Sequence, residues 1–164
     1  DLDLDILERA HSRMQSILTS EWEDRLVTDH LRTKKDALIL ASIIEKETGE
    51  ALDRAKIASV FHNRLALGMK LQSDPTVIYG LGEEFDGDLT RSHLVEDNPY
   101  NTYTRYRLPP GAICSPGRAS IKAAMAGSKH SYLYFVAKGD GQSYFSMNLS
   151  EHNRAVARYQ SRAK

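Results

Sequence analysis

Two carboxylates stand one residue apart in Ala41-Ser42-Ile43-Ile44-Glu45-Lys46-Glu47-Thr48-Gly49, where an apolar run from Ala37 to Ile44 ends. A carboxyl group held at an apolar wall has its pKa raised, because burial disfavours the charged form. It then becomes a usable acid near neutral pH. On a helix, Glu47 shares a side with Leu40, Ile43 and Ile44, since seven residues make nearly two turns. Glu45 points about 160° away, toward Leu38 and Ala41. Only one of the pair therefore faces a given cleft. The plainer reading is two surface charges at a helix end. Negative charge there is mildly unfavourable against the helix dipole, which makes a purely decorative pair odd.

A second cluster follows in Gln72-Ser73-Asp74-Pro75-Thr76-Val77-Ile78-Tyr79-Gly80. Ser73 or Asp74 ahead of Pro75 is a helix-start pattern, so Asp74 has a bland reading as a cap. The functional reading has Gln72, Ser73, Asp74 and Tyr79 lining a sugar cleft. Polar groups bond hydroxyls there, and an aromatic face packs on a sugar ring. Tyr100-Asn101-Thr102-Tyr103-Thr104-Arg105-Tyr106, ahead of Leu108-Pro109-Pro110-Gly111, reads either as a rigid surface turn or as a further hydrogen-bonding wall. His11, His30, His62, His93, His130 and His152 show no metal-ligand spacing with each other or with Cys114. No nucleophile elbow or glycine-rich phosphate loop occurs. Cys114 fits a small buried or half-buried side chain better than a nucleophile.

The elements that must position these residues follow from periodicity. Residues 5–26 read as an amphipathic helix on Leu7, Ala10, Met14, Ile17, Leu18 and Trp22. Asp36–Glu47 reads as the apolar helix, stopped by Gly49. Asp53–Leu67 reads as a third helix with Ile57, Val60, Phe61 and Leu65 on one face. Residues 71–118 hold all five prolines and lack long periodic segments. Short helices are expected near Asp74–Tyr79 and Thr90–Val95. A long irregular stretch of this kind is more often functional than idle. Residues 119–127 read as a short helix. Tyr132–Ala137 and Ser143–Met147 read as a hairpin around Lys138-Gly139-Asp140-Gly141-Gln142. Asn148–Arg162 reads as a closing helix capped by Asn148 or Ser150. The fold class is α+β, mostly helical, with a small β-hairpin and a long loop-rich middle.

The 164 residues fit a single domain, residues 1–164, able to bury roughly 68–70% of the unfolded surface. The 22 basic and 22 acidic residues cancel. That balance leaves no electrostatic footprint for nucleic acid or an anionic membrane, and suits a neutral polymer such as a polysaccharide better. One cysteine excludes an intrachain disulfide. No stretch reaches the ~18 apolar residues of a membrane span. The opening Asp1-Leu2-Asp3-Leu4-Asp5 has no initiator methionine and reads as the start of a fragment.

Seven blocks in order carry a family resemblance: Ala41–Gly49; Ala58-Ser59-Val60-Phe61-His62-Asn63-Arg64-Leu65; Leu71–Gly80; Tyr100–Tyr103; Leu108–Ile113; Tyr132–Ala137; and Asn148-Leu149 with His152-Asn153. In this order and spacing the chain resembles, from about residue 5 to its end, the catalytic domain of the MltG (YceG-like) endolytic murein transglycosylases. The resemblance implies a lysozyme-like catalytic region that cuts peptidoglycan glycan strands internally. It implies action on the extracytoplasmic, periplasmic face of the bacterial cytoplasmic membrane. It also implies an N-terminal membrane helix and a LysM-like region, neither present in these residues, and an association with cell-wall synthases.

The family's catalytic glutamate falls in the Glu-Lys-Glu-Thr block. Glu47 is the expected residue, because related transglycosylases follow their glutamate with a small hydroxyl residue, here Thr48. Glu45 remains a competitor. The implied chemistry uses one carboxyl as acid and then base, with no cofactor and no metal, on the N-acetylmuramic acid to N-acetylglucosamine bond. Gln72 and Asn101 are candidates to aid the charge developing at C1. Two alternatives stand: a muramidase that activates water with a second carboxylate, Asp74 or Glu45, and a peptidoglycan-binding module without turnover.

Overall fold

Helix formation follows the apolar spacing and its punctuation. The computed structural model describes residues 2–160. In chain order the elements are α1 (Leu2–Glu23), α2 (Lys34–Glu47), α3 (Ala51–Ala66), α4 (Asp74–Leu81), a 3-10 turn (Gly82–Glu84), α5 (Arg91–Val95), α6 (Arg118–Met125), β1 (Tyr134–Ala137), β2 (Ser143–Ser146) and α7 (Leu149–Gln160). The fold is α+β and mostly helical, as expected. Asn148 caps α7 by accepting from the Glu151 amide at 2.9 Å. The last residues of the expected closing helix, 161–162, lie outside the described residues.

Helix α2 is the hub. Thr33 starts it with a reciprocal capping box: its hydroxyl accepts from the Asp36 amide, and the Asp36 carboxylate accepts from the Thr33 amide. From Ala37 to Ile44 every residue but Leu38 is buried, and Leu38 is half-buried. A helix that is apolar all round needs partners on several sides. Here α1, α3, α4 and α6 all pack on it. Burying Leu40, Ile43 and Ile44 completely stabilises the fold by about 1.5–3 kcal/mol each.

Helix α1 departs from the expected amphipathic pattern. Met14, Ile17, Leu18 and Trp22 pack on the core, but Leu7 is 66% exposed. The reason is length. At 1.5 Å per residue α1 runs about 33 Å, whereas its partner α6 runs about 12 Å. The first half of α1 passes beyond the reach of α6. Among the described residues no helix is long and apolar enough to cross a membrane.

Strands β1 and β2 pair antiparallel, with Phe135 opposite Phe145. Gly139 and Gly141, both at positive φ, make the connecting turn. Helix α7 covers the hairpin, and α3 anchors it with polar side chains. The buried Asp53 carboxylate accepts from the Ser143 amide at 2.6 Å. Asn63 donates to the carbonyls of His130 and Tyr132, and Arg64 Nε donates to that of Leu133 at 2.7 Å.

Candidate active site

Glu47 is the last residue of α2, and the chain turns extended at Thr48. Thr48 is buried and its hydroxyl accepts from the Glu50 amide at 2.9 Å, which closes the helix end. The Glu47 side chain keeps some accessible surface, yet protein crowds its carboxyl. Burial pushes its pKa from an ordinary 4.5 to about 7. A hydrogen bond from Ser73 opposes that rise, the Asp74 charge adds to it, and the Arg64 charge opposes it. The carboxyl is thus poised to give up or take a proton near neutral pH.

Ser73 is the closest polar partner. It is 1% exposed, and its hydroxyl donates to Glu47 Oε1 at 2.5 Å. Ser73 also occupies the N-cap position of α4, as the Ser-Asp-Pro pattern suggests, but its side chain makes no cap bond. The hydroxyl is spent on Glu47 instead. Thr102 holds this turn in place. Its carbonyl accepts from the Gln72 amide at 3.1 Å, and its hydroxyl accepts from the Ser73 amide at 3.0 Å. The Thr76 hydroxyl donates to the Ser73 carbonyl, so Thr102 must supply the proton in the 2.8 Å bond between the two threonine hydroxyls. The result is a closed, satisfied ring.

The other expected site residues divide. Gln72 is exposed, sits at φ 53, and among the described residues its side chain makes no hydrogen bond. A non-glycine residue in the left-handed region is uncommon and clusters at functional turns. Asp74 is exposed and accepts from the Tyr103 hydroxyl at 2.5 Å. Burial first, then that hydrogen bond, raises the Tyr103 pKa far above its ordinary value, so the phenol stays a donor. Gln72, Ser73, Asp74 and Tyr103 thus gather on the turn beside Glu47. Tyr79 lies outside this group, exposed on α4 with its ring against that of Tyr100 at 4.7 Å.

Two expectations need correction. Asn101 is not a cleft wall, because it is fully buried and its amide is spent. Its Nδ2 donates toward the carbonyls of His93, Leu94 and Glu96, and its Oδ1 accepts from the amides of Tyr103 and Thr104. It braces the 93–104 segment. Glu45 likewise turns away from the cleft. Its Oε2 accepts from the Gly117 amide at 3.1 Å and from the Ser120 hydroxyl, pinning the start of α6 to the end of α2.

Arg64 is the residue the sequence reading passes over. It is buried on α3, and its Nη1 donates to the carbonyls of Lys70 and Leu71, just before the Gln72–Ser73 turn. Its guanidinium lies 5.0 Å from the Tyr134 ring, which stacks on His152. The signal was present: Arg64 lies seven residues after Ile57 and three after Phe61, on the apolar face of α3. Cys114 is half-buried, its thiol donates to the Ser42 carbonyl at 3.3 Å, and burial raises its pKa. Such a thiol is a poor nucleophile.

A model of the YceG-like family matches residues 2–158. The chain belongs to the YceG-like family. Among its relatives is an endolytic murein transglycosylase of Bacillus subtilis, 48% identical over 122 residues, covering 74% of this chain and 34% of the relative. An endolytic murein transglycosylase of Streptococcus pneumoniae strain D39 is 36% identical over 132 residues, covering 77% of this chain and 24% of the relative. A crystal structure of a YceG-like protein from Listeria monocytogenes is similar with a TM-score of 0.68 and 48% identity. It covers 77% of this chain and 41% of that one. The YceG-like chain described here therefore spans a quarter to a third of the length of these curated relatives.

Proposed function

We propose that this chain is the lysozyme-like catalytic part of a longer endolytic lytic transglycosylase, acting on peptidoglycan outside the cytoplasmic membrane. The observation that carries the reading is the crowded Glu47 carboxyl, with a pKa of about 7 and Ser73 bonded to it. The names of the relatives support it. Protonated Glu47 donates to the glycosidic oxygen between N-acetylmuramic acid and N-acetylglucosamine, and the bond from C1 to that oxygen breaks. The muramic C6 hydroxyl then attacks its own C1 while the Glu47 carboxylate takes its proton. A 1,6-anhydro ring forms, Glu47 is protonated again, and no water is consumed. An intramolecular nucleophile needs no second carboxylate. Gln72, exposed on its left-handed turn, and Asp74 with Tyr103 supply hydrogen-bonding groups for the sugar rings beside the acid.

Hydrolysis is the competing reading, favoured by one observation: the Asp74 carboxylate is near enough to raise the Glu47 pKa. Glu45 does not serve it, because its carboxylate is committed to α6. Mass analysis of fragments from purified glycan strands separates the cases. The parent chain is expected to leave anhydro-muramic ends, lighter by one water than hydrolysed ends, and Glu47→Gln to release no fragments. Reducing muramic ends alone would overturn the transglycosylase reading, and fragments from Glu47→Gln would overturn the acid assignment.

A further inference from the structure

A shallow groove of about 770 Å³ adjoins the site, lined by Lys70, Arg91, Ser92, Leu94, Val95, Tyr103 and Thr104. It meets the site at Tyr103, whose hydroxyl bonds Asp74, the neighbour of the Ser73 that bonds Glu47. Its floor is apolar: Leu94 is half-buried, and Val95 is 75% exposed although large and aliphatic. Its two charged lining residues are both cations. Among the described residues neither Lys70 nor Arg91 forms an ion pair, and Lys70 only lies 5.0 Å from the Tyr106 ring. Among the described residues no carboxylate lines the groove. The nearby Asp97 is already committed to Arg105 in a two-bond pair. A neutral sugar has no use for two unpaired cations, whereas an acidic group with a small apolar body satisfies both charges and floor.

We propose that this groove holds the peptide stem of the strand whose glycan lies at Glu47. This rests on the strand-cleaving reading above. The muramic sugar carries, on its lactyl ether, a short peptide that opens with alanine and continues with a glutamate bearing a free carboxyl. Lys70 and Arg91 bind the stem's carboxylates, and Leu94, Val95 and Tyr103 receive its methyl groups. The muramic ring is thereby registered so that its glycosidic oxygen meets Glu47. The chain then distinguishes substituted strands from bare ones.

The test uses matched glycan strands, one set carrying its peptide stems and one stripped of them, titrated into Glu47→Gln so that neither is consumed. Stem-bearing strands are expected to bind about tenfold tighter than stripped ones. Lys70→Gln combined with Arg91→Gln in the same background is expected to erase that difference while leaving affinity for stripped strands unchanged. Arg91 is exposed and Lys70 half-buried, and a thermal melt checks that the fold is kept. Equal binding of the two strand sets, or equal loss on both in the combined variant, would overturn the proposal. Stem-dependent binding by a parent chain that releases no fragments from either set would sink the cleavage reading and leave the groove assignment standing.

Discussion

Burial dominates the pKa of Glu47, against which Ser73 and Arg64 pull downward and Asp74 upward. Ser73→Ala removes the hydrogen bond that favours the charged form. The Glu47 pKa is then expected to rise beyond its value in the parent chain. A carbon-13 titration of the Glu47 carboxyl reads this directly, and the alkaline limb of strand cleavage should move the same way. A titration unchanged by the substitution would remove Ser73 from this role. At this scale the sequence separates Glu45 from Glu47 well, because the helical wheel is a local property. It says nothing of what either carboxylate meets across space. The partners of Glu45 lie 72 and 75 residues away, and that of Glu47 lies 26 away. Asn101 shows the same limit: a polar side chain in a polar run looks solvated until its backbone partners are known.

Helix α6 depends on a residue outside itself. Gly117 at its N-cap provides no side chain, and Glu45 of α2 takes up the Gly117 amide and the Ser120 hydroxyl. The same carboxylate sets its charge against the favourable end of the α6 dipole. Glu45→Gln keeps the shape and removes the charge, so α6 should loosen at a cost of about 1–3 kcal/mol. A lowered urea midpoint with strand cleavage retained in the cold is the expected result. Loss of cleavage without loss of stability would instead return Glu45 to the reacting centre. The elements themselves were legible because apolar spacing, capping residues and the glycine-bearing hairpin turn act over a few residues. The exposed half of α1 was not, since periodicity reports a face and not whether anything covers it.

Over the whole molecule, two buried groups set opposing pH slopes. The folded pKa of Glu47, about 7, lies above its ordinary 4.5, so its contribution to stability is present below 4.5 and is lost as pH rises through 7. His62 is the reverse. Burial lowers it from 6.5 to about 4. It is held neutral, with Nε2 donating to the Ala124 carbonyl and Nδ1 accepting from His30 Nε2. Its contribution is present above 6.5 and is lost as pH falls through 4. Each is worth about 3 kcal/mol, and between 4.5 and 6.5 they offset one another. Glu47→Gln removes one side of that balance. Urea melts of the variant should show stability climbing more steeply than the parent from pH 4.5 to 6.5, then exceeding the parent by up to about 3 kcal/mol at pH 8. Parallel curves would mean that Glu47 is not held protonated by the fold. The threonine ring at Thr102 adds a chronology to this. Helix α2 stands on bonds between near neighbours, but Glu47 reaches Ser73 across 26 residues, and Ser73 reaches Thr102 across 29. Both loops must close before the carboxyl is shut in. A chain that has built α2 but not yet seated Thr102 carries a solvated, ionised glutamate, chemically idle. The reactive group exists only where both distant segments are seated.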